Sequence, residues 1–314
     1  MTMQIDMSPL LRCEVCPRSC GVNRNAGQVG FCGATGEIKV AHYGPHFGEE
    51  PPITGTHGSG NIFFSHCNMR CIFCQNYQIS HYGMGESLSP DRLVGIFFEL
   101  EEMKCHNINL VTPSPYVPFI AAAIREAKDR GIKTPFVYNT NGYDSINSLK
   151  MLEGLIDIYL PDIKYWSPVI AARLSGVPMN APYPEYARQA IEEMKRQVGD
   201  LVINNGIARK GLLIRHLVLP GGIAGSRRII SWIRDNLGRS TWIGLMSQYV
   251  PLHRSHEYPL LQRRIKDPEY AEIVDFLLDN GFENVFVQEL GSAPLLVPDF
   301  NRKEPFLQKC PKEG

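Results

Sequence analysis

The sequence has no surplus of either charge: 32 Lys and Arg stand against 32 Asp and Glu, for a net charge of +0. A broad electropositive face for nucleic acid or an anionic membrane surface is therefore not expected. No window approaches the roughly 18 uncharged apolar residues of a membrane-spanning helix. The N-terminal stretch MTMQIDMSPLLRC carries Asp6 and lacks the apolar centre of a secretory signal. Internal repeats and low-complexity tracts are also lacking, and 44% hydrophobic residues against 20% charged leave no room for a disordered chain. The expected compartment is the cytoplasm, where reducing conditions disfavour disulfides.

What is present in quantity is cysteine. Nine thiols fall into a group of four (Cys13, Cys16, Cys20, Cys32), a group of three (Cys67, Cys71, Cys74) and the single residues Cys105 and Cys310. In a reducing compartment, clustered thiols act as metal ligands or catalysts. The 314 residues are about twice a typical single-core domain. Residues 1–55 are rich in Gly, Cys and Pro without helical periodicity, so that segment needs a metal or a neighbouring domain to fold against. Residues 301–314 are polar and read as a loosely held tail, with Cys310 in it and Cys105 in a helix-to-strand turn, both inert.

From Gly60 onward, short apolar runs at 61–64, 107–111, 134–139, 156–160, 212–218, 242–246 and 285–287 read as strands. They alternate with helical stretches at 90–103, 117–130, 183–198, 226–236 and 268–280, several opened by Pro or Ser and closed before Gly. Such alternation calls for right-handed crossovers and a parallel sheet, either a barrel or an open doubly wound sheet.

The stretch His66-Cys67-Asn68-Met69-Arg70-Cys71-Ile72-Phe73-Cys74-Gln75-Asn76 follows directly on the first apolar run. It thus lies in a loop at the C-terminal end of a strand, where parallel α/β folds place reactive groups. Three thiolates on so tight a loop can hold three corners of a cubane iron–sulfur cluster, and no fourth cysteine is near enough to take the last iron. Structural zinc wants four closed ligands and a redox dithiol wants two cysteines. His66 as a fourth ligand is disfavoured by its adjacency to Cys67, which turns it in another direction.

C-x3-C-x2-C with Phe73 before the third cysteine resembles the radical S-adenosylmethionine (SAM) superfamily. Cys74-Gln75-Asn76 resembles the cysteine, polar residue, asparagine sequence of its pyruvate formate-lyase activating enzyme branch, and the N-terminal cysteines resemble an uncharacterised group of homologues of that enzyme. The resemblance spans about residues 61–251. It implies a partial (β/α)6 TIM-like barrel over residues 56–300, with residues 1–55 as a small N-terminal metal-binding segment. It further implies a [4Fe-4S] cluster on Cys67, Cys71 and Cys74 whose unique iron chelates S-adenosylmethionine. One electron from a flavodoxin or ferredoxin then cleaves the sulfonium to methionine and a 5′-deoxyadenosyl radical, which abstracts hydrogen from a substrate.

The resemblance also implies roles for single residues. Asn76 matches an asparagine that contacts the cofactor, and Phe73 an aromatic beside the adenine. Thr140, Asn141 and Gly142 match a turn that approaches ribose and carboxylate, although Asn139 replaces the usual aspartate before it. Asp162-Ile163-Lys164 matches an Asp-hydrophobic-Lys sequence, with a plain ion pair as the alternative. Arg215 matches an arginine that could fork onto the methionine carboxylate. The common Gly-Gly-Glu is replaced by Val111-Thr112-Pro113-Ser114-Pro115, where the hydroxyls of Thr112 and Ser114 or freed carbonyls could accept from the ammonium.

Cys13, Cys16, Cys20 and Cys32 have enough soft ligands to close a zinc site or an all-cysteine cluster; the first would be a folding staple, the second an electron relay. His42, His46, Glu49 and Glu50, and likewise His253, His256 and Glu257, read as polar loop residues, while Gln248 and Tyr249 are expected at the barrel mouth. The leading substrate is a glycine of a partner glycyl-radical protein. The alternatives are a small molecule, or a non-catalytic iron–sulfur or zinc relay.

Overall fold

In the computed structural model, which describes residues 3–290 and 297–306, the short apolar runs lie side by side as one sheet. The strands are β1 Ile38–His46, β2 Ser59–Phe64, β3 Glu86–Leu88, β4 Ile108–Val111, β5 Phe136–Thr140, β6 Ile158–Pro161, β7 Val202–Asn204, β8 Ile207–Leu217, β9 Trp242–Met246 and β10 Val285–Val287. β2, β4, β5, β6, β8, β9 and β10 pair in that order, all parallel. Each is thus beside its predecessor in the chain, so winding never reverses as it does in a doubly wound sheet. The order defines a partial, unclosed TIM-like barrel, with β10, the seventh run read as a strand, one more than the six that the resemblance implies.

Alternation along each strand divides the core in two. Ile62 and Phe64 of β2, Phe136 and Tyr138 of β5, and Leu212 and Ile214 of β8 pack outward onto the crossover helices. Helix Pro90–Glu102 contributes Leu93, Phe97 and Leu100 to that layer, and helix Val117–Asp129 contributes Ile120 and Ile124. Val137, Ile158, Leu160 and Leu213 point inward instead, and meet Ile53 of the short helix Pro51–Thr54, which plugs the barrel interior. Helices start where a serine caps and a proline follows: Ser89 accepts from the Arg92 amide before Pro90, and Ser167 from the Ile170 amide before Pro168.

Both segments that flank the barrel in the chain make contact with it. The boundary at residue 55 cuts through one sheet, because β1 pairs antiparallel with β2 and β3. Leu10, Cys13, Val15, Cys32 and Ala34 lie in the same core as the crossover helices. Arg24, 1% exposed, donates to the carbonyls of Thr35 (2.7 Å) and Pro115 (2.6 Å), and the Val15 carbonyl accepts from Ser145 and Ser148. The segment therefore folds against the barrel. The start of the C-terminal tail is also held: Phe306 packs on Phe63 at 5.1 Å between ring centroids. Cys310 lies outside the described residues.

Candidate metal and cofactor site

β2 ends inside the barrel, and the chain then turns sharply. His66 takes a φ of 68, and Thr112, just past β4, takes a φ of 59. Left-handed backbone is rare for non-glycine residues and an outlier for a β-branched one, so two adjacent strand ends hold strain where the site forms. The loop beyond His66 is fixed by its own backbone: the Arg70 and Ile72 amides donate to the Ser175 and Leu174 carbonyls, each at 2.9 Å. The result is that Cys67, Cys71 and Cys74 line one cavity of about 500 Å³ at the C-terminal ends of the strands.

Each of the three sulfurs has a polar neighbour. The Asn141 side-chain amide donates to Cys67 Sγ (3.3 Å), the Ser175 hydroxyl to Cys71 Sγ (3.0 Å), and the Ser80 hydroxyl lies 3.2 Å from Cys74 Sγ. Burial, with the neighbouring cysteines adding, pushes the Cys67 thiol up to about 12 and Cys74 up to about 11. Stripped of any cation the three thiols keep their protons, whereas a bound metal reverses that preference because it needs thiolates. The donor set of three soft sulfurs with hydrogen-bond donors behind them fits an iron–sulfur cluster. Among the described residues, no three His, Cys, Asp or Glu side chains stand at finished metal-ligand spacing.

Around the thiols the cavity wall contains most of the residues singled out from sequence: Phe73, Asn76, Thr112, Thr140, Asn141, Asp162, Lys164 and Arg215. Phe73 stands edge-on to Tyr249, centroids 5.6 Å apart. Gly142 has a φ of 79, and a Cβ there would stand 2.3 Å from the Asp162 carbonyl oxygen, so the turn ending β5 admits only glycine. The Tyr183 hydroxyl braces the same place, 2.8 Å from the Asn141 carbonyl and accepting from the Lys164 amide at 2.9 Å. Lys164 pairs with Asp162 beside Cys71. Burial opposes the ammonium, but Asp162 and Cys71 outweigh it and hold its pKa above the ordinary range.

Two expected residues are placed differently. Ser114 is 1% exposed and lies behind the wall, 3.3 Å from the Thr140 hydroxyl, which itself donates to the buried Asp144 carboxylate at 2.5 Å. The two prolines fold the chain into a helical turn that turns Ser114 inward. Arg215 lines the cavity, but its fork is engaged by carboxylates of this chain: it pairs with Glu49 and meets Glu50 through both Nε (2.8 Å) and Nη2.

Glu49 and Glu50, read from sequence as loop residues, are therefore buried in the cavity floor; His46 beside them and His42 belong to β1. Burial works against the Glu49 charge, yet Arg215, helped by His46 and the Asn61 amide (2.7 Å), holds the carboxyl down at about 2. Gly244 on β9 leaves the space, since a Cβ there would stand 2.5 Å from Glu50 Oε1. The available signal was a lone arginine in the apolar run LLIRHLVL, which demands a buried partner. Gln248 and Tyr249 line the upper wall, while His253 stacks on Tyr77 (centroids 4.9 Å apart).

The N-terminal cysteines form a second group. Cys13 and Cys32 are buried, and Cys16 is pushed up to about 12 by burial with Cys32, Cys13 and Cys20 adding to it. The four thiols are electrostatic neighbours, although among the described residues they do not stand at finished metal-ligand spacing.

Residues 61–212 match the model of the radical SAM superfamily. The superfamily implies a [4Fe-4S] cluster and S-adenosylmethionine. The chain is 26% identical over 288 residues to the uncharacterized protein MJ0674 of Methanocaldococcus jannaschii, covering 88% of this chain and 77% of that one. A second protein of that organism, the uncharacterized protein MJ0808, is 25% identical over 310 residues, covering 90% of this chain and 82% of that one. In fold, the chain resembles the FeFe-hydrogenase maturase HydG from Carboxydothermus hydrogenoformans, with a TM-score of 0.52 at 12% identity; the match covers 77% of this chain and 60% of that chain. No helix of the described residues is long and apolar enough to cross a membrane.

Proposed function

We propose that the chain is a radical SAM enzyme in which Cys67, Cys71 and Cys74 hold the [4Fe-4S] cluster, and that it abstracts hydrogen from a glycine of a partner protein, as the activating enzymes it resembles do. The observation that carries the reading is the convergence of the three thiols on one cavity, with Phe73, Asn76, Thr112 and Asn141 on its wall. When bound, the cluster supplies one electron, drawn from a flavodoxin or ferredoxin, that splits S-adenosylmethionine to methionine and a 5′-deoxyadenosyl radical. The chain's residues do the positioning. Phe73 and Tyr249 offer apolar faces for an adenine, and Thr112 and Asn141 offer hydrogen-bonding groups near the thiols. Lys164, held charged by Asp162, stands next to Cys71 and offsets the negative charge of thiolates there. The N-terminal cysteines hold a second metal, zinc or a second cluster.

A small-molecule substrate is the second reading, favoured by the cavity floor. Glu49, Glu50 and Arg215 sum to one negative charge, and Asp162 and Lys164 cancel. An anionic substrate is disfavoured there, and a neutral or cationic one accepted. Anaerobic reconstitution with iron, sulfide and dithionite tests the shared chemistry. Release of 5′-deoxyadenosine is expected, and a brown protein that leaves the sulfonium intact contradicts it.

A further inference from the structure

We propose that the four-cysteine site is a metal-dependent clasp on the cluster loop: metal held by Cys13, Cys16, Cys20 and Cys32 fixes the loop that carries Cys67, Cys71 and Cys74. This rests on the reading of both cysteine sets as metal sites, and goes beyond a staple acting within residues 1–55.

The contacts run from one ligand loop directly to the other. Arg18, between Cys16 and Cys20, donates through Nε to the Asn68 carbonyl (2.5 Å), next to Cys67, and through Nη2 to the Gly176 carbonyl (2.6 Å). Phe31, next to Cys32, lies under the Arg18 guanidinium at 3.3 Å from its ring centroid. In the return direction Arg70, next to Cys71, donates to the carbonyls of Phe31 (3.0 Å) and Cys32 (3.1 Å) and to that of Ser80 (2.5 Å). Ser80 is the residue whose hydroxyl lies beside Cys74 Sγ. His66, next to Cys67, faces Gly33, next to Cys32, where a Cβ would stand only 3.0 Å from its Nδ1.

Every cross-contact thus involves a residue adjacent to a cysteine or one step from it. The N-terminal loops have little regular structure to hold them, only the helix Ser8–Leu11 and the turn Arg24–Ala26 before β1. A metal held by Cys13, Cys16, Cys20 and Cys32 would tie these loops together where regular structure does not. Once fixed, Arg18, Phe31 and the Cys32 carbonyl are presented to the cluster loop as a finished surface. Linkage makes the effect mutual: what tightens one loop favours ligand binding by the other.

The test uses the full chain with Cys67, Cys71 and Cys74 changed to Ser, so that Zn2+ alone, as probe, binds only the N-terminal site. Hydrogen exchange is followed at the Arg70 and Ile72 amides. One equivalent of Zn2+ is expected to slow both by tenfold or more. Arg18→Gln and, separately, Phe31→Ala in that background are expected to bind Zn2+ one to one and to lose most of the slowing. Bound zinc with unchanged exchange, or slowing that survives in both variants, overturns the clasp while leaving the metal site standing. Absence of stoichiometric zinc binding overturns the zinc reading of the site and the clasp with it.

Discussion

Thr112 and His66 keep left-handed backbone at neighbouring strand ends, and Gly142 keeps it at a third, so the rim of the cavity is built from residues held in uncommon conformations. Gly142 is the most exposed to test because both its φ and its contact with the Asp162 carbonyl oppose any side chain. Gly142→Ala is expected to destabilise the protein by about 1–3 kcal/mol, read as a lower urea midpoint, and to weaken S-adenosylmethionine binding in equilibrium dialysis. Asn141 acts on sulfur chemistry instead. Its amide donates to Cys67 Sγ and to the Asn68 side chain (2.7 Å), which orients the ligand and stabilises thiolate charge. Asn141→Ala is expected to lower iron retention against a chelator by roughly 10–100-fold and to move the cluster potential to more negative values. An unchanged potential removes Asn141 from that role.

At the scale of elements, the arginine of β8 and the two glutamates that precede the helix Pro51–Thr54 join the barrel wall to its plug. Arg215→Ala leaves two carboxylates buried without their cation, and a loss of about 3–5 kcal/mol is expected in denaturant unfolding. The same ion pair gives a pH signature. The Glu49 carboxyl is held at about 2 against an ordinary 4.5, so its contribution is complete above about 4.5 and disappears as pH falls toward about 2. The urea midpoint is expected to fall between pH 5 and pH 3, and the fall to shrink in Glu49→Gln.

The elements that sequence revealed and those it hid differ in physical kind. The parallel strands β2, β4, β5, β6 and β9 are buried on both faces because helices cover one side and the barrel interior the other, so they read as continuous runs such as NIFF and WIGLM. β1, IKVAHYGPH, has Gly44 and Pro45 in it, and gains its order by pairing antiparallel with β2 and β3. Its role in bringing His46, Glu49 and Glu50 into the cavity was hidden for the same reason. The helices Ile146–Met151 and Pro168–Ser175 are too short for periodicity to emerge. The cysteine spacing needed no such context, since a ligand loop is written in consecutive residues. The partner of Arg215 lies 165 positions away and is a tertiary fact.

Over the described residues, segments before and after the barrel strands reach the cluster loop and the cavity. The cysteine-rich N-terminus reaches the cluster loop through Arg18 and Arg70, and Phe300 and Phe306 from the C-terminal side cover Phe63. Phe306 lines the cavity at 4.4 Å from the His46 ring, centroid to centroid. Phe306→Ala is expected to open the mouth: faster, uncoupled loss of the reduced cluster in trace oxygen, followed by its absorbance, with little change in unfolding midpoint. Equal oxygen sensitivity in the variant removes this ring from the barrier.

The central claim is that Cys67, Cys71 and Cys74 together leave one iron free to chelate S-adenosylmethionine. The measurement is electron paramagnetic resonance of the reduced, anaerobically reconstituted protein with and without S-adenosylmethionine, alongside Cys71→Ala. A cluster signal that changes on adding S-adenosylmethionine, with 5′-deoxyadenosine formed by wild type and none by the variant, is the predicted result. A signal indifferent to S-adenosylmethionine, or turnover that survives in Cys71→Ala, contradicts it.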